Sequence, residues 1–435
     1  MTSVVSNDLR TFLLDQFKSD VDNGSNYYVG ISRATDFTAS SNIGSRAEQL
    51  NLRNSLQAVK VLSNVSFVVP TVEWTNNAVY SAYNDSDPNQ TNFYVTNSNK
   101  EVFICVQSPN TASTVEPTSI LANGLAQSFL TADGYLWRFM YKMTNLAYSN
   151  FRTSTYMPVK KVTGTPTIEQ EIQQLNLQDS AVSGEILGLA ITAAGANYPN
   201  TSTVTISGNG SNASFTATAA GGSLTSVTVD QDSADVFLHG SGYDYAAAID
   251  SGDGVLTPIL APRGGLNADP VVSLKAKSLM LQVDIQNNES GTILTENDFR
   301  QVALIRNPKK YGSDSDFTGN TGIALKQLNL ASGAIGTFLE DTTFTTISGS
   351  TAKVFHHDTI NEVLYYYQDL DTKFDTFTNG VTITSDSSSA SASILSQTDP
   401  DVDAYSGDIL YLNNVAVIPR EDNQTEDIRI VIELG

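Results

Sequence analysis

The chain has 435 residues, for which two or three domains are a better expectation than a single hydrophobic core. Its formal net charge of -22 repels phosphate groups and argues against nucleic-acid binding, and the basic residues Arg306, Lys309 and Lys310 are interpreted as a solvated loop. The single cysteine, Cys105, excludes an internal disulfide framework and is interpreted as a small buried hydrophobic residue rather than a nucleophile.

The N-terminal segment predicts an amphipathic helix rather than a signal peptide, because it lacks a basic region. Its apolar residues recur at helical spacing: Val5, Leu9, Phe12, Leu13 and Phe17. Ser6 or Asn7 can cap the start of this helix, and Asn23-Gly24 can end it. No apolar run reaches the roughly 20 residues needed to span a bilayer, so we expect a soluble chain made in a cytoplasm.

The rest of the first 75 residues predicts a mixture of strands and one more helix. Residues 27–32 form a short strand pattern, and residues 65–70 form another that a proline ends. Ser45 and Glu48 have the spacing of a capping box, in which each side chain satisfies a backbone amide of the other. The apolar stripe that follows predicts a second helix: Leu52, Leu56 and Val59.

From about residue 76 the composition changes to the pattern of an all-β region. Short alternating runs are separated by turn residues, and residues 93–160 hold aromatic-rich strands. Residues 181–262 are low in charge and rich in Gly, Ser, Thr and Ala. This part contains short repeats: 184–191 matches 222–229, and 195–198 matches 240–243. We therefore expect a repeat-like β module, in which each unit needs a neighbour to bury its apolar face.

After about residue 270 ordinary strand patterns return. Strands are predicted at 279–285, 301–305, 363–367, 409–412, 415–418 and 428–434. Asn413 and Asn414 separate two of them and predict a tight hairpin, since Asn tolerates positive φ. The last strand places Ile428, Ile430, Ile432 and Leu434 on one face, which fixes its register.

These patterns predict a mainly β fold with a few helices near the N-terminus. A framework β-sandwich domain is expected from residues 1–75 and 270–435. A second β domain is expected as an insertion at 76–269, and it contains the Gly/Thr-rich module at 181–262.

The sequence predicts no catalytic, cofactor-binding or metal-binding residues. His356 and His357 are adjacent, so on a strand they face opposite sides; with His239 they are expected at surface or turn positions, not in a zinc site. Two acidic segments faintly resemble calcium loops but lack the required spacing, and we expect solvated loops: Asp314, Asp316 and Asn320, and Asp399, Asp401 and Asp403. No nucleophile elbow, phosphate loop or dinucleotide fingerprint occurs, although a pair of carboxylates among 46 acidic residues stays open.

Five motifs in the same order resemble the dimeric baseplate wedge subunit of T4-like contractile-tailed bacteriophages. The most extensive is the C-terminal stretch, with Tyr411, Asn414, a Gln424-Thr425-Glu426 element and a last alternating strand. The others are the Phe-Arg-Gln strand at 299–308, the Asp-Gly-Tyr-x-Trp strand from Asp133 to Phe139, the passage from 59 to Trp74, and the aromatic-x-Cys strand at 103–105.

The resemblance implies a two-layer β-sandwich with an inserted β domain, a homodimer, and contacts with neighbouring baseplate wedge proteins. It also implies a virion protein of the tail baseplate, assembled in the host cytoplasm, with no catalysis, no nucleic acid and no membrane partner. Asp133-Gly-Tyr135 would be a turn before a strand whose Trp137 and Phe139 pack inward. Residues 181–262 have no counterpart, and 340–400 look expanded, so no interface is carried over there.

An alternative is a carbohydrate-binding or carbohydrate-cleaving tail component. In this hypothesis the 181–262 module reads a receptor through Tyr198, Tyr243 and Tyr245, since aromatic and polar groups suit sugars.

Overall fold

The computed structural model describes residues 7–24, 26–33, 45–119, 127–249, 252–289 and 291–433. This part of the chain is mainly β, so the predicted fold class is confirmed. Its five helices are α1 (Asn7–Asp22), α2 (Arg46–Asn54), α3 (Asn145–Phe151), α4 (Glu169–Asp179) and α5 (Pro270–Ser273). Three of them lie after residue 140 and not near the N-terminus. None of the described helices is long and apolar enough to cross a membrane.

The strands are short and mostly antiparallel. The first half of the chain contains β1 (Tyr27–Ser32), β2 (Leu56–Val61), β3 (Asn64–Pro70), β4 (Tyr94–Thr96), β5 (Glu101–Gln107), β6 (Ser128–Leu130), β7 (Leu136–Lys142), β8 (Tyr156–Val159), β9 (Ile186–Ala193), β10 (Thr201–Gly208), β11 (Ser211–Ala213) and β12 (Phe215–Ala220). The second half contains β13 (Ser223–Val229), β14 (His239–Ser241), β15 (Ala246–Ile249), β16 (Val255–Leu260), β17 (Ser278–Ile285), β18 (Asn297–Arg306), β19 (Thr321–Ile323), β20 (Lys326–Leu330), β21 (Thr343–Thr346), β22 (Thr351–Asp358), β23 (Val363–Tyr367), β24 (Thr382–Ser385), β25 (Ser391–Thr398), β26 (Asp408–Arg420) and β27 (Glu426–Glu433).

The chain forms two compact units. Unit 1 comprises residues 1–16, 66–280 and 431–435, and unit 2 comprises residues 17–65 and 281–430. The predicted framework and inserted domains, with boundaries near 76 and 270, stay predictions, because compactness alone does not define a domain that folds independently.

The N-terminal helix forms as the sequence predicts, but its apolar stripe does not define a buried face. α1 begins at Asn7 and ends before Gly24, whose φ of +83° is the left-handed conformation typical of a helix end. Among the stripe residues, Leu9, Phe12 and Leu13 are exposed, whereas the neighbouring Leu14 is buried. Val5 and Ser6 lie outside the described residues.

The aromatic-rich core of unit 1 is built on the sheet β4-β5-β7-β6. In β7, Trp137 lies opposite Cys105 of β5, and Phe139 lies opposite Phe103. Trp137 and Phe139 are fully buried, so the predicted inward packing is confirmed. The ring of Tyr135 stacks on Trp137 at 5.4 Å between centroids, which closes the core at the turn.

Asp133 holds the turn before β7. Its Oδ2 accepts backbone N–H bonds from Thr114 (2.7 Å) and Val115 (3.0 Å), and its Oδ1 accepts from the Thr131 hydroxyl (2.5 Å). Gly134 adopts a φ of +89°, which a side chain would disfavour. Burial acts to raise the pKa of Asp133, but the hydrogen bonds from Thr131 and the two amides outweigh it and lower the pKa.

We expect Asp133→Asn to lower the free energy of unfolding at neutral pH by about 1.5–3 kcal/mol, the range for hydrogen bonds to a charged group. The carboxylate contributes stability above its unfolded pKa and loses it as the pH falls through its lowered folded pKa, so the difference from wild type shrinks in acid. Urea denaturation of wild type and Asp133→Asn at pH 7 and pH 3 measures this difference in unfolding free energy. A difference that does not change with pH would contradict the assigned role.

The two predicted repeats of the 181–262 module, in unit 1, contact one another. The predicted matching segments form β9 and β13, and Tyr198 and Tyr243 are both buried. The Tyr198 ring lies against Gly252, where a Cβ would approach it to 2.3 Å, and the Tyr243 ring lies against Gly210, where a Cβ would approach it to 2.4 Å. Each tyrosine therefore occupies space that a glycine of the other repeat leaves open.

Unit 2 is organised around the sheet β19-β2-β1-β18-β26. The predicted stripe of Leu52, Leu56 and Val59 is buried in one core, but the predicted second helix is wrong beyond Asn54. Ser45 caps α2 as predicted, since its hydroxyl accepts from the Glu48 amide at 3.3 Å. Leu56 and Val59 belong to β2 because pairing with β1 replaces helical hydrogen bonds there.

Two further features of unit 2 differ from the sequence predictions. Strands β20-β23-β22-β21-β24-β25 close into a barrel that the sequence patterns did not predict. The predicted hairpin at Asn413-Asn414 is wrong, because β26 continues through both residues from Asp408 to Arg420. The turn lies later, where Asn423 adopts a φ of +63° and the Gln424 N–H donates to the Glu421 carbonyl.

Candidate functional site

Cys105 is not available for chemistry. It is fully buried in β5, and its thiol donates to the Gln107 carbonyl at 3.4 Å. Burial raises the pKa of this thiol well above its ordinary value, so the reactive thiolate is disfavoured. The interpretation as a small buried hydrophobic residue is confirmed.

The histidines lie on strands, and the expectation of surface or turn positions is wrong for two of them. His239 and His357 are 4% and 7% exposed. The Phe338 N–H donates to Nδ1 of His357 at 3.2 Å, whereas the half-buried His356 has its Nδ1 3.0 Å from a Glu340 oxygen. Neutral imidazole tolerates burial when a ring nitrogen is hydrogen-bonded, which explains the burial of His357. His239 is also hydrogen-bonded, to the Ile186 carbonyl and to Ser128.

The acidic segments and the basic residues form local contacts. Lys309 pairs with Asp316, and Asp401 accepts from the Ile323 N–H at 3.1 Å. Asp403 accepts from the Tyr405 N–H at 2.9 Å. Within the residues that the structure describes, no group of three or more His, Cys, Asp or Glu side chains could hold a metal ion.

The three tyrosines of the module differ in exposure. Tyr198 and Tyr243 are each 6% exposed, and the Tyr198 hydroxyl accepts from the Gly254 N–H at 2.7 Å. Tyr245 is 66% exposed. The first two rings are therefore parts of the module's core and do not present a surface for a sugar.

The polar run of the C-terminal motif is structural. Arg420, 1% exposed, ion-pairs with Glu426, and its Nη2 donates to the Gln286 carbonyl at 2.9 Å. Burial raises the pKa of Glu426, against the opposing effect of Arg420. This pair closes the turn between β26 and β27.

Arg33 is a buried hub of unit 2 that no sequence pattern indicated. It directly follows β1 and is 2% exposed. Its guanidinium donates to Asp298 Oδ1, Glu340 Oε2 and the Phe355 carbonyl, each at 2.8 Å, and to Asn297. It also lies 4.6 Å from the centroid of the Phe355 ring. The side chain thus joins the sheet strands β1 and β18 to β22 of the barrel.

Strand β26 presents an exposed edge. It is the last strand of its sheet, and in the described part of the chain its sheet partner is β18 on one side. Leu410 and Val417 on this strand are 48% and 56% exposed. Between Asp408 and Arg420 the strand carries no charged residue.

Edge strands are usually blunted by charges, proline or β-bulges. β26 has no charge between its ends, but its register against β18 shifts at Leu410 and between Asn414 and Ile418, so its regular segment is residues 411–414. The strand is therefore a candidate association surface.

A second candidate site is a cavity of about 270 Å³ in unit 1. Four buried polar side chains line it: Ser128, Arg138, Glu185 and His239. Gln127 and Val182, which also line it, are exposed, so the cavity reaches the protein surface.

The four buried groups form one chain of hydrogen bonds. Arg138 donates to both carboxylate oxygens of Glu185, at 2.6 and 3.1 Å, and to the Ser128 hydroxyl at 3.1 Å. Nδ1 of His239 lies 3.0 Å from the Ile186 carbonyl, which only accepts, so Nδ1 carries the proton. Nε2 then accepts from the Ser128 hydroxyl at 3.1 Å. Burial, and secondly the charge of Arg138, lower the pKa of His239 to about 4.

Sequence reasoning missed this cavity because its residues are far apart in the chain. Arg138 and Glu185 are 47 positions apart, and Ser128 and His239 are 111 apart. One signal in the sequence was usable. His239 lies in a Gly-rich strand and Arg138 lies between buried aromatic residues, and burying either side chain costs free energy unless it has a hydrogen-bonding partner.

The chain matches no protein-family model, and no curated protein is significantly similar to it.

Proposed function

We propose that this chain is a structural component of the baseplate wedge of a contractile phage tail, and that it acts as a homodimer in contact with neighbouring wedge proteins. The proposal assigns it no catalytic step, cofactor, metal, nucleic acid or membrane, and places it in the virion tail after assembly in the host cytoplasm. The collinear motifs support the family. The exposed edge of β26 is the observation that carries the association.

The partner that fits this edge is a second copy of the chain. The apolar residues of β26 lie on both sides of Asn413 and Asn414, at 409–412 and at 415–418. A copy related by a two-fold axis and placed antiparallel sets apolar residues against apolar residues and asparagine near asparagine. The main-chain groups on the outer edge of the regular segment, residues 411–414, then gain hydrogen-bond partners. A two-fold contact is isologous, so one strand supplies both halves of the interface.

The test is the mass of the full chain in solution at micromolar concentration, measured by light scattering after size exclusion. We expect twice the 46.7 kDa of one chain. Val417→Lys places a charge on the shared edge, where two copies would repel and lose apolar contact, so this variant is expected to be monomeric. Ile360→Lys is the matched control, because Ile360 is 91% exposed in the same unit but lies in the turn after β22.

A monomeric wild type would contradict the homodimer, and a dimer that persists in Val417→Lys would contradict the β26 interface. The virion role has its own readout. Mass spectrometry of purified phage particles and antibody labelling of the tail end should find the chain at the baseplate, and its absence from particles would refute the structural role.

The alternative of a carbohydrate reader has less support in its original form. It relied on Tyr198 and Tyr243, whose rings are buried between the repeats. Tyr245 alone is a poor sugar platform, since recognition needs polar groups that converge beside the ring.

A further inference from the structure

We propose that the cavity lined by Arg138, Glu185, Ser128 and His239 binds a small neutral molecule rich in hydroxyl groups, of the size of a monosaccharide. This inference goes beyond the structural role proposed above, and neither depends on the other.

The first argument is that the cavity contains unused hydrogen-bonding capacity. Arg138 is 3% exposed, and its Nε–H has no hydrogen-bond partner, which is costly for a buried charged group. Each oxygen of Glu185 accepts one bond from Arg138, so each retains a free lone pair. Arg138 and Glu185 both line the cavity, and between them they retain one unpaired donor and two acceptor lone pairs on adjacent buried side chains.

The second argument is charge. Arg138 and Glu185 neutralise one another at hydrogen-bond distance, and His239 is neutral near pH 7. An anion that used the Arg138 donor would be repelled by Glu185, and a cation that used Glu185 would be repelled by Arg138. A hydroxyl group donates and accepts at once, so neighbouring hydroxyls satisfy both side chains without adding charge.

The third argument is size and shape. The volume of about 270 Å³ is many times the roughly 10–15 Å³ required by one water, and it is near the lower end of ligand pockets. Val236, Phe237 and Val182 supply apolar walls beside the polar groups. The half-buried Phe237 ring lies 6.3 Å from the His239 ring, and such a ring can pack against the apolar face of a pyranose.

The experiment uses saturation-transfer NMR and calorimetry on the full chain with a panel of free monosaccharides. Neutral hexoses, deoxyhexoses and N-acetylhexosamines form the test set, and glucuronic acid and glucosamine supply the anionic and cationic comparisons. We expect at least one neutral sugar to bind, and the charged sugars to bind at least about tenfold more weakly because each meets one like charge.

Two variants locate the binding. Val236→Trp fills the cavity and should abolish the signal, while Phe237→Ala removes the aromatic wall and should weaken binding roughly tenfold. Tyr245→Ala is the control, since this exposed tyrosine belongs to the same module but does not line the cavity. Near-ultraviolet circular dichroism verifies that each variant is folded. If Val236→Trp does not fold, the binding of Phe237→Ala decides the outcome.

The proposal is overturned if no neutral sugar binds, or if a charged sugar binds more tightly than every neutral one. It is also overturned if binding is unchanged in both Val236→Trp and Phe237→Ala, or is lost in Tyr245→Ala instead. The dimer mass is measured separately, so failure of this proposal and failure of the structural role give different results.

Discussion

Replacement of Arg33 by leucine is expected to lower the free energy of unfolding of unit 2 by about 3 kcal/mol. This is the lower end of the cost of removing one partner from a buried ion pair, because Asp298 and Glu340 remain partly exposed to water. Leucine keeps part of the apolar volume but leaves Asp298 without its 2.8 Å donor and the Phe355 carbonyl without its own. Arg33→Lys should recover only part of the loss, because a single ammonium cannot reproduce the planar fork of donors.

Arg300→Leu is the matched control for this prediction. Arg300 also contacts Asp298, at 3.1 Å, but its side chain is 30% exposed. Its loss should cost no more than about 1 kcal/mol, because the Arg300 side chain is partly exposed and water screens the pair, whereas Arg33 is fully buried. Urea denaturation with hydrogen exchange of the β1 and β18 peptides measures both variants. If Arg33→Leu and Arg300→Leu had equal effects, Arg33 would not be a hub of this unit.

Acidification is expected to destabilise unit 1 through His239. Its folded pKa of about 4 lies below the ordinary value of 6.5, so the unfolded state binds more protons between these pH values. The contribution of the neutral His239 to the free energy of unfolding is therefore fully present above about pH 6.5. It is lost progressively as the pH is lowered towards 4. At about 1.4 kcal/mol for each pKa unit, the loss is about 3 kcal/mol.

Two variants isolate this contribution from that of the carboxylates. His239→Gln cannot be protonated, so its unfolding free energy should change less between pH 6.5 and 4 than that of wild type. Ser128→Ala removes the hydrogen bond to Nε2 but keeps the buried imidazole, so its pH dependence should remain steep. Urea titrations at four pH values measure the slopes. Equal slopes for wild type and His239→Gln would show that another group titrates.

The sequence predicted the mainly β class and several elements well because their patterns are local. The strand at 363–367 coincides with β23, and the Asp133-Gly134 turn and the start of α2 at Ser45 have residue types that favour one backbone conformation. The errors lie where pairing with a distant strand determines the secondary structure. Leu56 has helical spacing from Leu52, yet pairing with β1 makes it a strand residue.

β26 shows a second error of this kind, because residues that were predicted to form a turn belong to a strand. Two asparagines between apolar runs favour a tight turn locally, but Asn413 and Asn414 lie opposite Val302 and Gln301 of β18, and the Gln301 side chain donates to Asn414 at 3.0 Å. The local preference for a turn is weaker than the gain from pairing residues 411–414 with β18. The exposed edge therefore could not be predicted, since the sequence placed a hairpin at its centre.

The candidate cavity was beyond prediction for a different reason. Burial of Arg138 or His239 is favourable only when partners are present, and those partners come from other strands. A single sequence shows the residue types but not which of them meet.

The crossed packing of Tyr198 on Gly252 and of Tyr243 on Gly210 has an evolutionary consequence. If the module arose by gene duplication, an ancestor with one copy could fill the space beside its glycine in this way only with the tyrosine of another molecule. Such an ancestor would have been a symmetric pair, and fusion of the two genes would have converted an intermolecular contact into an intramolecular one at high effective concentration. Deletion of one copy from the present gene should restore dependence on a second molecule.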